Sequence, residues 1–600
     1  MPLPSRHLRR RRRPPSLSQA VSSGPEEKPP MVLGRSLAAL REAVVERHDV
    51  PRIGAPPAPA RQTFLPPRAR RLASLTGVGA LLLLTVGLRL DGLPGSGPVA
   101  YDEGWAATTG RFLVSLLTHP GVWPQLRHGN LHVSIFGRHW KLGHDLILGT
   151  LMAAGVSPEN LTWFSGLAGV VMVMVLMALA WRRWGAPAAA VAGTFAGAVP
   201  LGIIYGHRIV AEAAGLAGVA IVLYLIDRWW DGRPSRGLVL LTLGVFLPTL
   251  SLSYRLVPVL LPLLAVLVWL GWWYLRHDVP PRAPTGRLAS LCVVVPLLAL
   301  AVIYGLALAG RSLSWFRLPA ELQNHVLRSD GTVALPFAFL DFYPRTFWEF
   351  SGPAIIVAAA VGMAALTWNW KKLDPLAAIA AGSLMGSLLF YTAAHDKVPR
   401  AIVVCVVFGA LVVARAVTLL ERPALRWTMA LIVCGAFLVT GWTGSGPARE
   451  ASGTGAAGRW LASHPGPMVA TRAPDLVIYT ERHWNVNVGL DPAHRIITPG
   501  ADATIGSLRL QGARWVVVDG HALINSKSSV FEQLIGCGRP VAVFDDPAGW
   551  SRVQFLEEAN GLDLDYGGML ALRDQTLRVS RGEETIRIYD LEGPGTDACG

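Results

Sequence analysis

LASLTGVGALLLLTVGLRL, residues 72–90, is followed after ten residues by Tyr101-Asp102-Glu103-Gly104-Trp105. The first stretch is long and apolar enough to cross the hydrocarbon layer of a bilayer. The second sets two adjacent carboxylates close to where that span ends. Burying charge at a membrane surface is unfavourable unless something compensates. A catalytic base or a metal ligand is such a compensation, so the acidic pair is the place to look for chemistry.

Working outward, ten further apolar runs follow. Spans are expected at about 72–90, 160–181, 186–205, 211–227, 237–253, 256–275, 288–309, 352–368, 375–393, 400–419 and 427–442. The chain is 52% hydrophobic and 16% charged, with a mean hydropathy of +0.39. A soluble protein of this length carries about 25% charge, so the expectation is a polytopic, all-α membrane domain. The net charge of +15 does not imply nucleic acid, because Met1–Arg71 holds 15 Lys and Arg against 5 Asp and Glu.

Residues 1–71, with the run Arg9-Arg10-Arg11-Arg12-Arg13, read as a disordered basic tail held in the cytoplasm by its charge. Arg182-Arg183, Arg228, Arg233, Arg236, Arg276, Arg282, Arg287, Lys371-Lys372, Arg422 and Arg426 fall on the same side. An odd number of spans then places the C-terminus outside. The unusual polar residues gather on the opposite, outer face. They are Asp102-Glu103; His207, Arg208 and Glu212; Tyr254-Arg255; and His395, Asp396, Lys397 and Arg400. Two long outer loops, 91–159 and 311–351, complete that face. The first also carries Arg138, Lys141, His128, His139 and His144, whose histidines match no common zinc spacing. The second is rich in the aromatics of a membrane–water boundary.

From residue 443 the composition changes. Gly444-Ser445-Gly446-Pro447 reads as a linker into an extracytoplasmic α/β domain, 443–600. Short buried strands are expected at Met468–Thr471, Trp515–Asp519 and Val541–Phe544. A β meander is expected over Leu570–Arg573, Leu577–Ser580 and Thr585–Tyr589. Cys537 and Cys599 both fall in this domain, and sequence leaves their pairing open.

Each cluster has a plain reading and a chemical one. Asp102-Glu103 is either solvated loop charge, a general base for an acceptor hydroxyl, or a pair of oxygen ligands for a divalent metal ion. Arg208 and Glu212 are either a helix-end ion pair or an Arg poised on a phosphate and oriented by its carboxylate. Arg255 is either a snorkelling interfacial residue or a further cation of the same site. His395, Lys397 and Arg400 suit an anion better than they suit each other. Nucleophile elbow, nucleotide loop and CxxC motifs are absent from the sequence.

The chain resembles the polyprenyl-phosphate-dependent membrane glycosyltransferases with the C-type fold. It is most similar to the protein O-mannosyltransferase-like branch that includes the lipid A aminoarabinose transferases. The matching residues are Asp102-Glu103 after the first span, then Tyr205, His207, Arg208 and Glu212 after the third, and Lys397-Val398-Pro399-Arg400 before a late span. The resemblance implies an inverting hexosyl or pentosyl transferase of the cell envelope. Its donor is a polyprenyl-phosphate-linked sugar in the outer leaflet. Its acceptor is a glycan, lipid or protein hydroxyl. Asp102 and Glu103 are then catalytic, and His207, Arg208, Arg255, His395, Lys397 and Arg400 bind the donor phosphate. Tyr101, Glu212, Arg138 and Lys141 support them. The chain departs from the protein mannosyltransferases in lacking a large carbohydrate-binding insertion between late spans. Its Ala-, Gly-, Pro- and Arg-rich composition suggests a bacterium with GC-rich DNA.

Two rival readings come from other classes. A transporter or flippase places its polar groups near the bilayer midplane, whereas here they cluster at one face. A non-catalytic membrane scaffold would be indifferent to loss of Asp102.

Overall fold

The computed structural model describes residues 67–599 except 94–98, 100, 119–140, 278, 280, 282–284, 311–325, 329–331, 472–474, 477, 480–495, 498, 527 and 560–561. The basic tail, Arg138, His128 and His139 lie outside the described residues, as do the side chains of Tyr101 and Asp102. Residues Arg68–Gly600 form one body.

Every expected span falls on helix. In chain order they are α1 (Pro67–Leu90), α2 (Tyr101–Thr118), α3 (Leu142–Ala153), α4 (Thr162–Trp184), α5 (Ala186–Ala198), α6 (Pro200–Gly206), α7 (Ala211–Trp229) and α8 (Arg236–Leu252). Then come α9 (Val257–Arg276), α10 (Thr285–Gly310), α11 (Phe342–Ser351), α12 (Pro353–Trp368), α13 (Pro375–Ala393), α14 (Cys405–Thr418) and α15 (Pro423–Gly444). Among the described residues seven helical segments are long and apolar enough to cross a membrane alone, and two more qualify as bent pairs. The bends have local causes. Pro200 cannot donate to the preceding turn and holds Val199 extended, so α5 and α6 meet at 59°. Gly352, at φ +84°, precedes Pro353, and α11 turns 119° from α12. The remaining two expected spans are α7, which carries charge at both ends, and α8, which is 17 residues long.

The two ends of the bundle differ chemically. At one end Asp227 pairs with Arg182 at 3.0 Å and with Arg183, while Asp374 accepts from Trp184 at 2.9 Å and Arg415 at 3.1 Å. The C-terminal domain packs on the other end. Its helices are α16 (Thr454–Ser463), α17 (Ile505–Leu510), α18 (Gly520–Asn525), α19 (Val530–Cys537), α20 (Pro547–Trp550), α21 (Arg552–Glu558) and α22 (Tyr566–Val579), and it holds a five-stranded sheet. The strands are β1 (Met468–Val469), β2 (Ile496–Ile497), β3 (Trp515–Val518), β4 (Ala542–Asp545) and β5 (Thr585–Asp590), in spatial order β2-β1-β3-β5-β4. β1, β2 and β3 run parallel, and β5 pairs antiparallel with both β3 and β4. All four residues of β3 are buried because both sheet faces are covered. Val516 and Val518 pack with Phe531 and Leu534, and Trp515 and Val517 with Leu461 and Ile586.

All three expected strands are present within two residues of their expected ends, but only β1 and β3 are buried; β4 lies at the sheet edge, with Val543 and Asp545 exposed, because only β5 pairs with it. The expected meander is not present. Leu570–Arg573 and Leu577–Ser580 lie largely in helix α22, and only Thr585–Asp590 is a strand. Asp565 caps α22 by accepting the Gly568 N–H at 2.7 Å. Met569 is buried against the bundle, with Leu570 and Leu572 packed alongside, so tertiary contact overrides the helix-weakening Gly567-Gly568. The expected linker is docked as well. α15 runs through Gly444, and Ser445 and Ala448 are buried. Cys537 and Cys599 form a disulfide that ties α19 to the C-terminus, with Cα atoms 5.4 Å apart.

Candidate functional site

The acidic pair opens helix α2. Glu103 is fully buried, and its Oε2 accepts the Val99 N–H at 3.0 Å. The carboxylate thus reaches back to the chain just ahead of the helix and fixes its entry. Asp475, from the C-terminal domain, accepts the Gly104 N–H at 2.9 Å. A Cβ at Gly104 would stand 2.0 Å from the Asp475 carboxylate, so only glycine admits this cap. Anionic groups are favoured at a helix N-terminus, where unpaired N–H groups and the macrodipole point at them. The backbone places Asp102 in the same first turn.

α2 and α3 then cross with their backbones in contact. A Cβ at Gly110 would lie 1.9 Å from the Asp145 carbonyl, and one at Gly149 would lie 2.0 Å from the Gly110 carbonyl. Ala106 and Ala107 of α2 and Leu148 of α3 pack with Ile209, the neighbour of Arg208, and with Ile478 of the C-terminal domain. The acidic helix and the basic turn 207–210 therefore share one small apolar cluster.

Next comes a buried ionic cluster. Arg255 reaches two carboxylates at once: Glu212 Oε1 from Nη1 at 3.4 Å and Asp396 Oδ2 from Nη2 at 3.3 Å. The Arg255 side chain is 3% exposed, Glu212 0% and Asp396 2%, so water does little of the screening. Ser253 Oγ donates to Glu212 Oε1 at 3.2 Å, and the Tyr391 hydroxyl donates to the Arg255 carbonyl. Lys141 and Arg400 also act electrostatically on Glu212. Three of the four expected polar clusters, together with Lys141, thus converge on this carboxylate.

The C-terminal domain completes the arrangement through α21. Its Gln554 accepts from Arg208 Nη1. Its Glu557 accepts the Arg400 backbone N–H at 2.9 Å and the Tyr205 hydroxyl, and lies 3.0 Å from Arg400 Nε. Asp563, beyond α21, pairs with His395 Nε2 at 2.7 Å. Val553, Phe555 and Leu556 of α21 are buried in the bundle's own core.

Some expected anion ligands have their donors committed within the fold. Lys397 Nζ donates to the carbonyls of Tyr391 at 3.0 Å, Thr392 at 2.7 Å and Ala394 at 2.6 Å, which are carbonyls at the end of α13. An ammonium has three hydrogens, so this C-cap uses all of them. Burial pulls its pKa down to about 7, and Asp396 opposes that shift. His207 lies between two carbonyls, Arg89 at 2.7 Å from Nε2 and Ala448 at 3.0 Å from Nδ1. Burial lowers its pKa while the two carbonyls favour the proton. Among the described residues no three His, Cys, Asp or Glu side chains gather as metal ligands.

Sequence reasoning missed four site residues, namely Asp475, Gln554, Glu557 and Asp563. None lies in a motif, and each reaches the bundle only through tertiary packing. The one local signal is Ser551, which accepts the Gln554 N–H at 3.4 Å and starts α21.

No family profile and no curated protein matches this chain by sequence. Among solved structures, the chain is similar to ArnT from Cupriavidus metallidurans bound to undecaprenyl phosphate. That match has 15% identity and a TM-score of 0.46, and covers 74% of this chain and 93% of that one. The apo state of the same protein matches at 15% identity and TM-score 0.46, over 86% of this chain and 98% of that one. The Archaeoglobus fulgidus oligosaccharyltransferase, in complex with Zn and sulfate, matches at 11% identity and TM-score 0.46, over 86% and 88%.

Proposed function

We propose that this chain is a membrane glycosyltransferase that moves a sugar from a polyprenyl-phosphate donor to an acceptor hydroxyl, on the extracytoplasmic face where the C-terminal domain sits. The observation that carries this reading is the buried Arg255 bridge to Glu212 and Asp396, with Arg208 and Arg400 held by Gln554 and Glu557 of α21, at the same end of the bundle as the acidic helix start. Buried cations held by fixed carboxylates at the end of apolar helices suit the headgroup of a lipid anion.

In this reading Asp102 takes the acceptor's proton as its oxygen attacks the sugar carbon. The sugar–phosphate bond breaks with inversion, and the leaving phosphate takes the electron pair. Arg208, Arg255 and Arg400 stabilise that charge from positions fixed before the reaction begins. Glu103, bonded to the Val99 N–H, fixes the helix turn that carries Asp102. Glu212 orients Arg255. Lys397 and His207 hold the ends of the elements that carry the three arginines.

The test is turnover of purified full-length protein in lipid nanodiscs with a panel of polyprenyl-phosphate sugars, following release of polyprenyl phosphate. Asp102→Asn keeps the shape and removes the base, and should lower turnover by about 10²–10⁴-fold. Near-normal turnover of a folded Asp102→Asn protein would remove Asp102 from the role. Transport of an intact sugar lipid without bond cleavage would replace the transferase with a flippase.

A further inference from the structure

We infer that the Glu557 carboxylate, carried on α21 of the C-terminal domain, occupies the donor-phosphate subsite of the resting protein and must leave it when the donor binds. This rests on the transferase reading above and adds a regulation of its site. Three groups converge on Glu557. The Arg400 N–H donates to Oε1 at 2.9 Å, the Tyr205 hydroxyl donates to the same oxygen, and Arg400 Nε stands 3.0 Å from Oε2. Arg400 is the second residue of the 20-residue helical segment Pro399–Thr418, directly after the N1 proline. Its N–H is one of the donors a helix start leaves unpaired, and such a start attracts anions.

A backbone N–H at a helix start, a guanidinium and a phenol together form an anion receptor. A phosphate oxygen would take the same donors that the carboxylate takes. Tyr205, Arg400 and Glu557 are all nearly excluded from water, so two anions cannot share the receptor. A purely mechanical clasp would not need the charge, because α21 is already anchored by Val553, Phe555 and Leu556. The Glu557 side chain alone has to swing away. Gln554 on Arg208, one turn earlier on the same helix, is a neutral acceptor and can stay or exchange without a charge change.

An internal competitor that fills the receptor nine-tenths of the time weakens apparent affinity about tenfold. The experiment measures binding of polyprenyl monophosphate to full-length protein in nanodiscs, with neutral polyprenol as the control. Glu557→Gln should bind the phosphate about tenfold tighter than the unaltered chain. Glu557→Asp, which keeps the charge with a shorter reach, should fall between them. Polyprenol binding should not change. Equal phosphate affinity in all three proteins would overturn the inference and leave the transferase reading standing. Weaker binding by Glu557→Gln together with a lower melting temperature would make Glu557 a structural clasp, and would also overturn it. If none of the three binds polyprenyl monophosphate, the transferase reading itself fails and takes the inference with it.

Discussion

Replacing Arg255 by methionine removes the guanidinium that Glu212 and Asp396 share, while keeping much of the side chain's length. Breaking a buried ion pair by deleting one partner costs about 3–5 kcal/mol, because the other charge is left without compensation. Two features place this case at the lower end. The contacts of 3.3 and 3.4 Å are longer than those of strong charge-assisted bonds. Lys141 and Arg400 also act on Glu212. About 3 kcal/mol is therefore expected. At roughly 2.1 cal/mol/K per residue, a body of roughly 500 residues unfolds with an entropy near 1 kcal/mol/K, so Tm should fall by about 3 °C. Arg255→Lys keeps the charge, but one ammonium cannot serve both carboxylates from that stem. The loss of one charge-assisted contact is about 1.5–3 kcal/mol, or tenfold or more in an equilibrium constant. The assay is thermal unfolding in nanodiscs beside donor titration. The triple variant Arg255→Met, Glu212→Gln and Asp396→Asn should recover part of the lost stability, because the two carboxylates that lost Arg255 are neutral in it, while Lys141 and Arg400 lose Glu212 as a counter-charge; it should not recover transfer. An Arg255→Met protein with unchanged Tm and turnover would refute the bridge as an energetic element. So would a triple variant less stable than the single one.

Gly104→Ala should destabilise the start of α2, because its methyl would meet the Asp475 carboxylate at 2.0 Å; proteolysis within the first outer loop reads this, and unchanged resistance would count against the cap. Asp475→Ala removes the cap without the clash and should cost about 1 kcal/mol, read by thermal unfolding. Cys599→Ser opens a cross-link spanning 62 residues and should cost the C-terminal domain about 2–4 kcal/mol, measured by its denaturant midpoint with and without reductant. Reporter fusions at Gly444 and at Arg233 should give opposite topology signals, and matching signals would refute the odd-span arrangement.

Much of the bundle was legible because apolar length is a strong signal in a membrane chain. Residues 160–181 and 256–275 needed no tertiary information to be read as helix. The strand Trp515–Val518 was legible for the same reason, a short apolar run buried on both faces. Leu570–Ser580 was not, because its glycines and scattered leucines carry no clear period, and its helix is decided by packing on the bundle. At the site, Arg208, Arg255 and Arg400 stood out as charges at span ends. Glu557 did not, because Phe555-Leu556-Glu557-Glu558 reads as an ordinary helix with a solvated acidic side. What makes it part of the site is Arg400, 157 residues earlier in the chain. No local pattern carries a contact of that separation.

Arg89 puts a timing constraint on biosynthesis. It lies buried near the end of the first span, and its guanidinium donates to the carbonyls of Ala196 at 3.2 Å and Gly202 at 3.0 Å, 107 and 113 residues further along. At about 5–20 residues per second, a nascent chain makes those acceptors roughly 5–20 s after Arg89. Until then the charge has no partner within the hydrocarbon, and an arginine in that position snorkels to the headgroups. The first span is therefore expected to ride raised or tilted until then. The Arg89 guanidinium meets those carbonyls only when the bent pair of α5 and α6 arrives. His207, bonded to the Arg89 carbonyl and to Ala448, then holds the first helix against the exit of the last. Membrane insertion of this chain is thus not a series of independent spans. A ribosome stalled before Gly202 would leave its first helix shallow, accessible to water-borne reagents, and open to quality-control proteases.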